Sequence, residues 1–85
     1  MYLHLGKGTV VNERDIVGIF DLDITSQSHI TRKYLAAAEK RGEVQNAAED
    51  IPRSFVVCRS SGGMTVYLSQ MSCQTLLKRA ESGMI

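Results

Sequence analysis

Tryptophan is absent from this chain, proline occurs once, and cysteine and histidine occur twice each. Cys58 and Cys73 share no CxxC spacing and have no histidine at ligand distance in sequence, so too few donors are grouped for a zinc site. Free cysteine is among the most buried residue types, and both thiols are expected reduced and at least half-buried, with redox chemistry the lesser alternative. No apolar stretch approaches the ~20 residues of a membrane-spanning helix. The opening MYLHLGKG has neither the basic start nor the apolar run of a secretory signal, so a cytoplasmic location is expected. An excess of one charge is also missing: ten Lys and Arg face nine Asp and Glu, for a net charge of +1. Overall charge therefore does not announce a nucleic-acid binder. Electrostatic binding would have to come from local clustering, or from one patch repeated over an oligomer.

What is present suffices for one ordered domain, residues 1–85. The hydrophobic share of 44% argues against disorder. A chain this short buries only roughly 60–65% of its unfolded surface, so self-association would add usefully to a thin core.

Tyr2, His4 and Gly6 alternate with Leu3 and Leu5, a period-two strand with its leucines inward. Gly6-Lys7-Gly8 is a tight turn, and Thr9-Val10-Val11 the return strand. After the polar corner Asn12–Asp15, the β-branched run Ile16-Val17-Gly18-Ile19-Phe20 predicts a central strand, in which Gly18 marks a bulge or the close approach of another backbone. A linker over residues 21–27 precedes a helix capped by Ser28 and ended by Gly42. Ile30, Tyr34, Leu35 and Ala38 form its apolar face, and Arg32, Lys33, Lys40 and Arg41 the other. Residues 43–53 read as a loop, acidic at its centre. Ser54–Cys58 and Met64–Leu68 are two strands joined by the turn Ser60-Ser61-Gly62-Gly63. A last helix starts at the N-cap Ser72, with Met71 packing on Leu76, and closes near Gly83. The fold class expected is α+β, a small antiparallel β-sheet with two helices in the order β-β-β-α-β-β-α.

Catalytic constellations are scarce. Asp21 and Asp23 would share a strand face and could meet a cation, but a solvated turn explains them better. His4 suits cross-strand packing and His29 an exposed helix start, and neither has a nucleophile beside it in sequence. Neither glycine turn opens a helix as a phosphate loop does. No enzyme activity, cofactor or small-molecule substrate is expected. Basic residues in loops remain: Arg14 in the polar corner and Arg53 directly after Pro52. A guanidinium binds phosphate in a planar, bidentate way. The plainer reading pairs Arg14 with Glu13 or Asp15, and Arg53 with Asp50.

Tyr2-Leu3-His4-Leu5-Gly6, then Thr9-Val10-Val11 and Arg14–Asp21, resemble the opening of the RemA/RemB family of extracellular-matrix regulators, closest to its RemB-like branch. Pro52–Val57 and Ser69…Thr75-Leu76-Leu77-Lys78-Arg79 are similar to later signatures, so the resemblance covers nearly the whole chain, most weakly over residues 22–50. It implies a DNA-binding transcriptional regulator of biofilm-matrix genes, built as a ring-like homo-oligomer of a LytTR-related, β-rich subunit whose basic rim follows double-stranded DNA. Arg14 matches an arginine that the RemA branch uses for DNA. A pair of adjacent loop arginines does not transfer, because Ile51 and Pro52 stand there behind Glu49 and Asp50. The candidate nucleic-acid-binding residues are Arg14, Arg53, Lys7 and Arg59. A second reading, favoured by the near-neutral charge and the acidic loop, is a self-assembling structural or adaptor protein that binds protein partners instead of DNA.

Overall fold

The alternation at the start of the chain folds as its pattern requires. Leu3 and Leu5 are almost wholly buried in strand β1 (Tyr2–Gly6), while Tyr2 and His4 face outward. A turn through Gly6, Lys7 and Gly8, all at positive φ, returns the chain into the antiparallel strand β2 (Thr9–Asn12). Gly6 is irreplaceable there on two counts. Its φ is +131°, and an added Cβ would stand 2.6 Å from the Ala47 carbonyl oxygen.

The computed structural model describes residues 2–22 and 29–83, with residues 29–31 and 81–83 described by their backbone alone. A 3-10 turn (Glu13–Asp15) leads into β3 (Ile16–Asp21). Helix α1 (His29–Lys40), a short strand β4 (Val44–Asn46), the hairpin β5 (Ser54–Ser60) and β6 (Gly63–Ser69), and helix α2 (Cys73–Gly83) complete the chain. The predicted cap Ser28 and the carboxylate Asp23 lie outside the described residues.

Two expectations need correction. The first concerns residues 43–53, read as a loop: Val44–Asn46 pair in parallel with Val66–Leu68, and the main sheet is mixed rather than antiparallel. This strand is only three residues long and has no sequence period. It exists because the Glu43 carbonyl accepts from Val66 N–H and Ala47 N–H donates to the Leu68 carbonyl, which extends the ladder at both ends. The second concerns β3, read as central. The sheet order is β3-β5-β6-β4, which places β3 at an edge. None of its residues is fully buried, and Val17 and Phe20 are 61% and 39% exposed, so the apolar run does not mark a strand covered on both faces. Gly18 marks the bulge expected, since the register shifts between Ile16 and Gly18. The close neighbour, however, is a side chain: a Cβ on Gly18 would meet the Phe20 ring at 2.7 Å.

Both faces of this sheet are covered. On one, Val56 and Cys58 pack with Leu3, Leu5, Val11 and Leu76, so the β1–β2 hairpin and α2 share that face. On the other, Phe55, Val57 and Val66 pack with Ala38 of α1. The strict alternation along β5 sends its residues to two separate cores. α2 is capped as expected, with Ser72 Oγ accepting the Thr75 N–H at 3.1 Å. Eleven residues make a marginal helix alone. It is held by Leu76, fully buried, a burial that stabilises by about 1.5–3 kcal/mol. Sequence left open whether this helix docks on its own sheet, and it does.

Two buried serines tie the layers together. Ser69 Oγ donates to the Leu5 carbonyl at 2.7 Å and accepts the Met71 N–H at 3.2 Å. Ser54, its cross-strand partner, donates to the Met71 carbonyl at 2.7 Å.

Candidate nucleic-acid interface

Arg14 sits in the 3-10 turn, and its backbone N–H donates to Asn12 Oδ1 at 3.0 Å. That short-range cap closes the polar corner, fixing the backbone of Arg14 while its side chain stays exposed. Arg53 is held on both sides: its N–H donates to the Ser69 carbonyl at 2.8 Å, and its carbonyl accepts from Leu22 N–H at 3.0 Å. Its side chain is exposed, as are those of Lys7 and Arg59. The ion pairs that would have occupied the arginines do not form. Among the described residues the salt bridge present is Arg41–Glu43 at 3.1 Å, away from both.

The strand register divides the four candidates into two pairs. Ile16 pairs with Cys58, so Arg14 lies at the end of the sheet where Arg59 sits. The Gly6–Gly8 turn lies against Ala47, and Leu5 is bonded to Ser69, which pairs with Ser54; Lys7 and Arg53 therefore share the opposite end. Six steps along β5 separate Arg53 from Arg59, about 20 Å at ~3.3 Å per residue. Arg14 and Arg59 share an end but not a face. Arg59 follows Phe55 and Val57 toward the α1 side, whereas Arg14 lines a groove with Leu77 and Ala80 of α2.

The helix beside that groove carries two basic residues that do not line it and were not singled out from sequence as site candidates. Lys78 and Arg79, between Leu77 and Ala80, are both exposed. Their sequence signal was the helical pattern that buries Leu76; what could not be read is which strand the helix lies beside. At the opposite end the 49–53 loop is rigid and acidic. Glu49 and Asp50 N–H groups both donate to Gln70 Oε1, at 2.8 and 3.2 Å. Ile51 N–H turns back onto Asp50 Oδ1, leaving the Ile51 side chain 78% exposed. Glu49 and Asp50 thus stand in the same loop as Arg53 and offset its positive charge.

Among the described residues no cluster of three or more His, Cys, Asp or Glu could hold a metal, and no helix is long and apolar enough to cross a membrane. Cys58 is buried and Cys73 half-buried, both as free thiols. Burial, then the nearby Asp15 carboxylate, pushes the Cys58 thiol up to about 11. Burial first, then Cys58 and Asp15, raises Tyr67 as well.

The sequence model of the RemA-like proteins, described as extracellular matrix regulatory protein A-like, matches residues 2–80. This chain belongs to the RemA-like family. Among characterised relatives, it is 38% identical over 81 residues to Extracellular matrix regulatory protein B of Bacillus subtilis (strain 168), covering 95% of this chain and 91% of that protein. In this RemA-like chain the matched region runs through Lys7, Arg14, Arg53, Arg59, Lys78 and Arg79.

Proposed function

We propose that this chain is a single-domain, non-enzymatic transcriptional regulator of extracellular-matrix genes that binds double-stranded DNA as a ring-like homo-oligomer. In this reading its subunit is of the LytTR-related, β-rich kind, and Arg14 is the principal phosphate contact, with Arg59, Lys7 and Arg53 as further contacts on a basic rim. The observation that carries the reading is an exposed arginine on a hydrogen-bonded corner, within a family match that spans almost the whole chain. A fixed backbone limits the ordering cost of each contact.

The division of the basic residues favours an assembly over a lone subunit. Two weak basic ends about 20 Å apart make no continuous track on one copy. Head-to-tail repetition brings the Arg14 end of one copy beside the Arg53 end of the next, and linked weak contacts become strong together. Arg14 is the position that resembles a DNA-contacting arginine of the RemA branch, whereas Glu49 and Asp50 share the loop of Arg53, so most of the affinity is assigned to the Arg14 end.

Fluorescence anisotropy on labelled duplex at roughly 50 and 200 mM salt tests this, because each phosphate contact contributes a slope of about 0.9 in log affinity against log salt. Over that range one contact is worth a factor of about 3–4. Arg14→Ala is expected to flatten the salt dependence by at least that factor, and Arg53→Ala by less. An unchanged slope for Arg14→Ala removes Arg14 from the interface. A second reading, a self-assembling scaffold for protein partners, rests on the exposed Ile51 beside Glu49 and Asp50. It is favoured if an oligomeric preparation shows no binding at the lower salt.

A further inference from the structure

We propose that the cleft between the β1–β2 hairpin and the β5–β6 ladder is a binding site for a guanidinium group, with Asp15 as its counter-ion. The cleft has a volume of about 380 Å³ and is lined by Tyr2, Asn12, Asp15, Ser60, Thr65 and Tyr67, with Val10 at its rim. That volume lies within the range of small-ligand pockets, and its wall carries a few converging polar groups. Asp15 supplies the one carboxylate, and no basic side chain lines the cleft. Among the described residues nothing donates to that carboxylate and no cation pairs with it.

The sign of the site follows. Asp15 already disfavours ionisation of Cys58 and Tyr67 on the same wall, so an anion would be repelled and a cation drawn in. One carboxylate is too few ligands for a metal ion. A guanidinium fits better than an ammonium. Its planar fork engages a carboxylate through two parallel bonds, and its remaining N–H groups can reach the hydroxyls of Ser60 and Thr65. The tyrosines supply aromatic surface, on which guanidinium stacks more readily than a compact, strongly hydrated ammonium. The guanidinium can come from free arginine-like molecules or from an arginine side chain of a protein, a second copy of this chain included.

The test is an amide NMR titration of the full chain with N-acetyl-arginine methylamide, against the neutral citrulline analogue. Sedimentation of wild type and Asp15→Asn is measured alongside. Asp15→Asn removes the charge from a half-buried position without breaking a hydrogen bond, so the fold is expected to persist. Saturable shifts at Asp15, Ser60, Thr65 and Tyr67 are expected, with none for citrulline and at least a tenfold loss of affinity in Asp15→Asn. A thiol titration gives an independent readout, since a bound cation should lower the pH at which Cys58 ionises. Binding with unchanged sedimentation points to a free or foreign guanidinium. No shift in wild type, together with dissociation of the oligomer in Asp15→Asn, places the arginine of a second copy in the cleft. No shift and equal mass for the two proteins overturns the proposal, as does equal binding by Asp15→Asn. None of these outcomes depends on DNA.

Discussion

Replacing Ser69 with alanine should loosen the hairpin that carries Lys7 and forms one wall of the guanidinium cleft. The Ser69 side chain is fully buried and bonded twice, to the Leu5 carbonyl at 2.7 Å and the Met71 N–H at 3.2 Å. Alanine fills nearly the same space, so little cavity opens, and the effect comes from two backbone groups left without partners. A buried group left unsatisfied costs about 1–3 kcal/mol. The Met71 bond is the longer and only partly buried, which puts the pair at about 2–4 kcal/mol. A chain of this length is stable by about 4–13 kcal/mol, so the loss is a large fraction of the total. Urea unfolding followed by circular dichroism should show an unchanged slope and a lower midpoint, and Tm should fall by about 10–25 °C. Hydrogen exchange adds location: amides of Leu3, Leu5 and Val11 should lose more protection than those of β5. Ser54→Ala should cost less, and the double variant less than the two separately, because both hydroxyls brace the Met71 backbone. A loss below about 0.5 kcal/mol for Ser69→Ala, the level of an ordinary surface substitution, refutes the reasoning.

Three further predictions rest on backbone geometry and on burial. Gly6→Ala should destabilise by more than about 2 kcal/mol in urea unfolding, whereas Gly8→Ala, with open space around its Cβ, should cost only the left-handed backbone penalty of about 1–2 kcal/mol. Because the folded Cys58 thiol titrates near 11 against an ordinary 9.0, its neutral form is the one the fold favours. The stability this contributes is complete below about pH 9 and is lost as pH rises through 11. Cys58→Ala should flatten the fall in stability over that window. With the native chain at pH 8, a thiol reagent should label Cys73 before Cys58. Equal labelling rates would contradict the burial of Cys58.

Much of this molecule was legible in its residues, and for local reasons. The period of two in Leu3 and Leu5, the glycines about Lys7, the alternation of Met64, Val66 and Leu68 and the N-cap Ser72 each act through neighbours in sequence, so composition and spacing reveal them. The family was legible for the same reason, since its signatures are short motifs in a fixed order.

The tertiary structure decided whatever depends on partners far along the chain. Val44-Gln45-Asn46 carries no period because β4 draws its strand character from β6, about twenty residues later. The apolar run of β3 pointed to a central strand, yet it lies at an edge with Val17 and Phe20 exposed, and only the pairing order reveals that place. The basic residues followed the same rule. Their exposure could be read one at a time, but the antiparallel register separated Arg14 and Arg59 from Lys7 and Arg53 and brought α2 beside Arg14. The cleft around Asp15 was invisible to sequence, because its walls come from strands more than forty residues apart. Sequence sets which groups a segment can offer and which faces it must bury; the pairing of distant segments sets which groups meet.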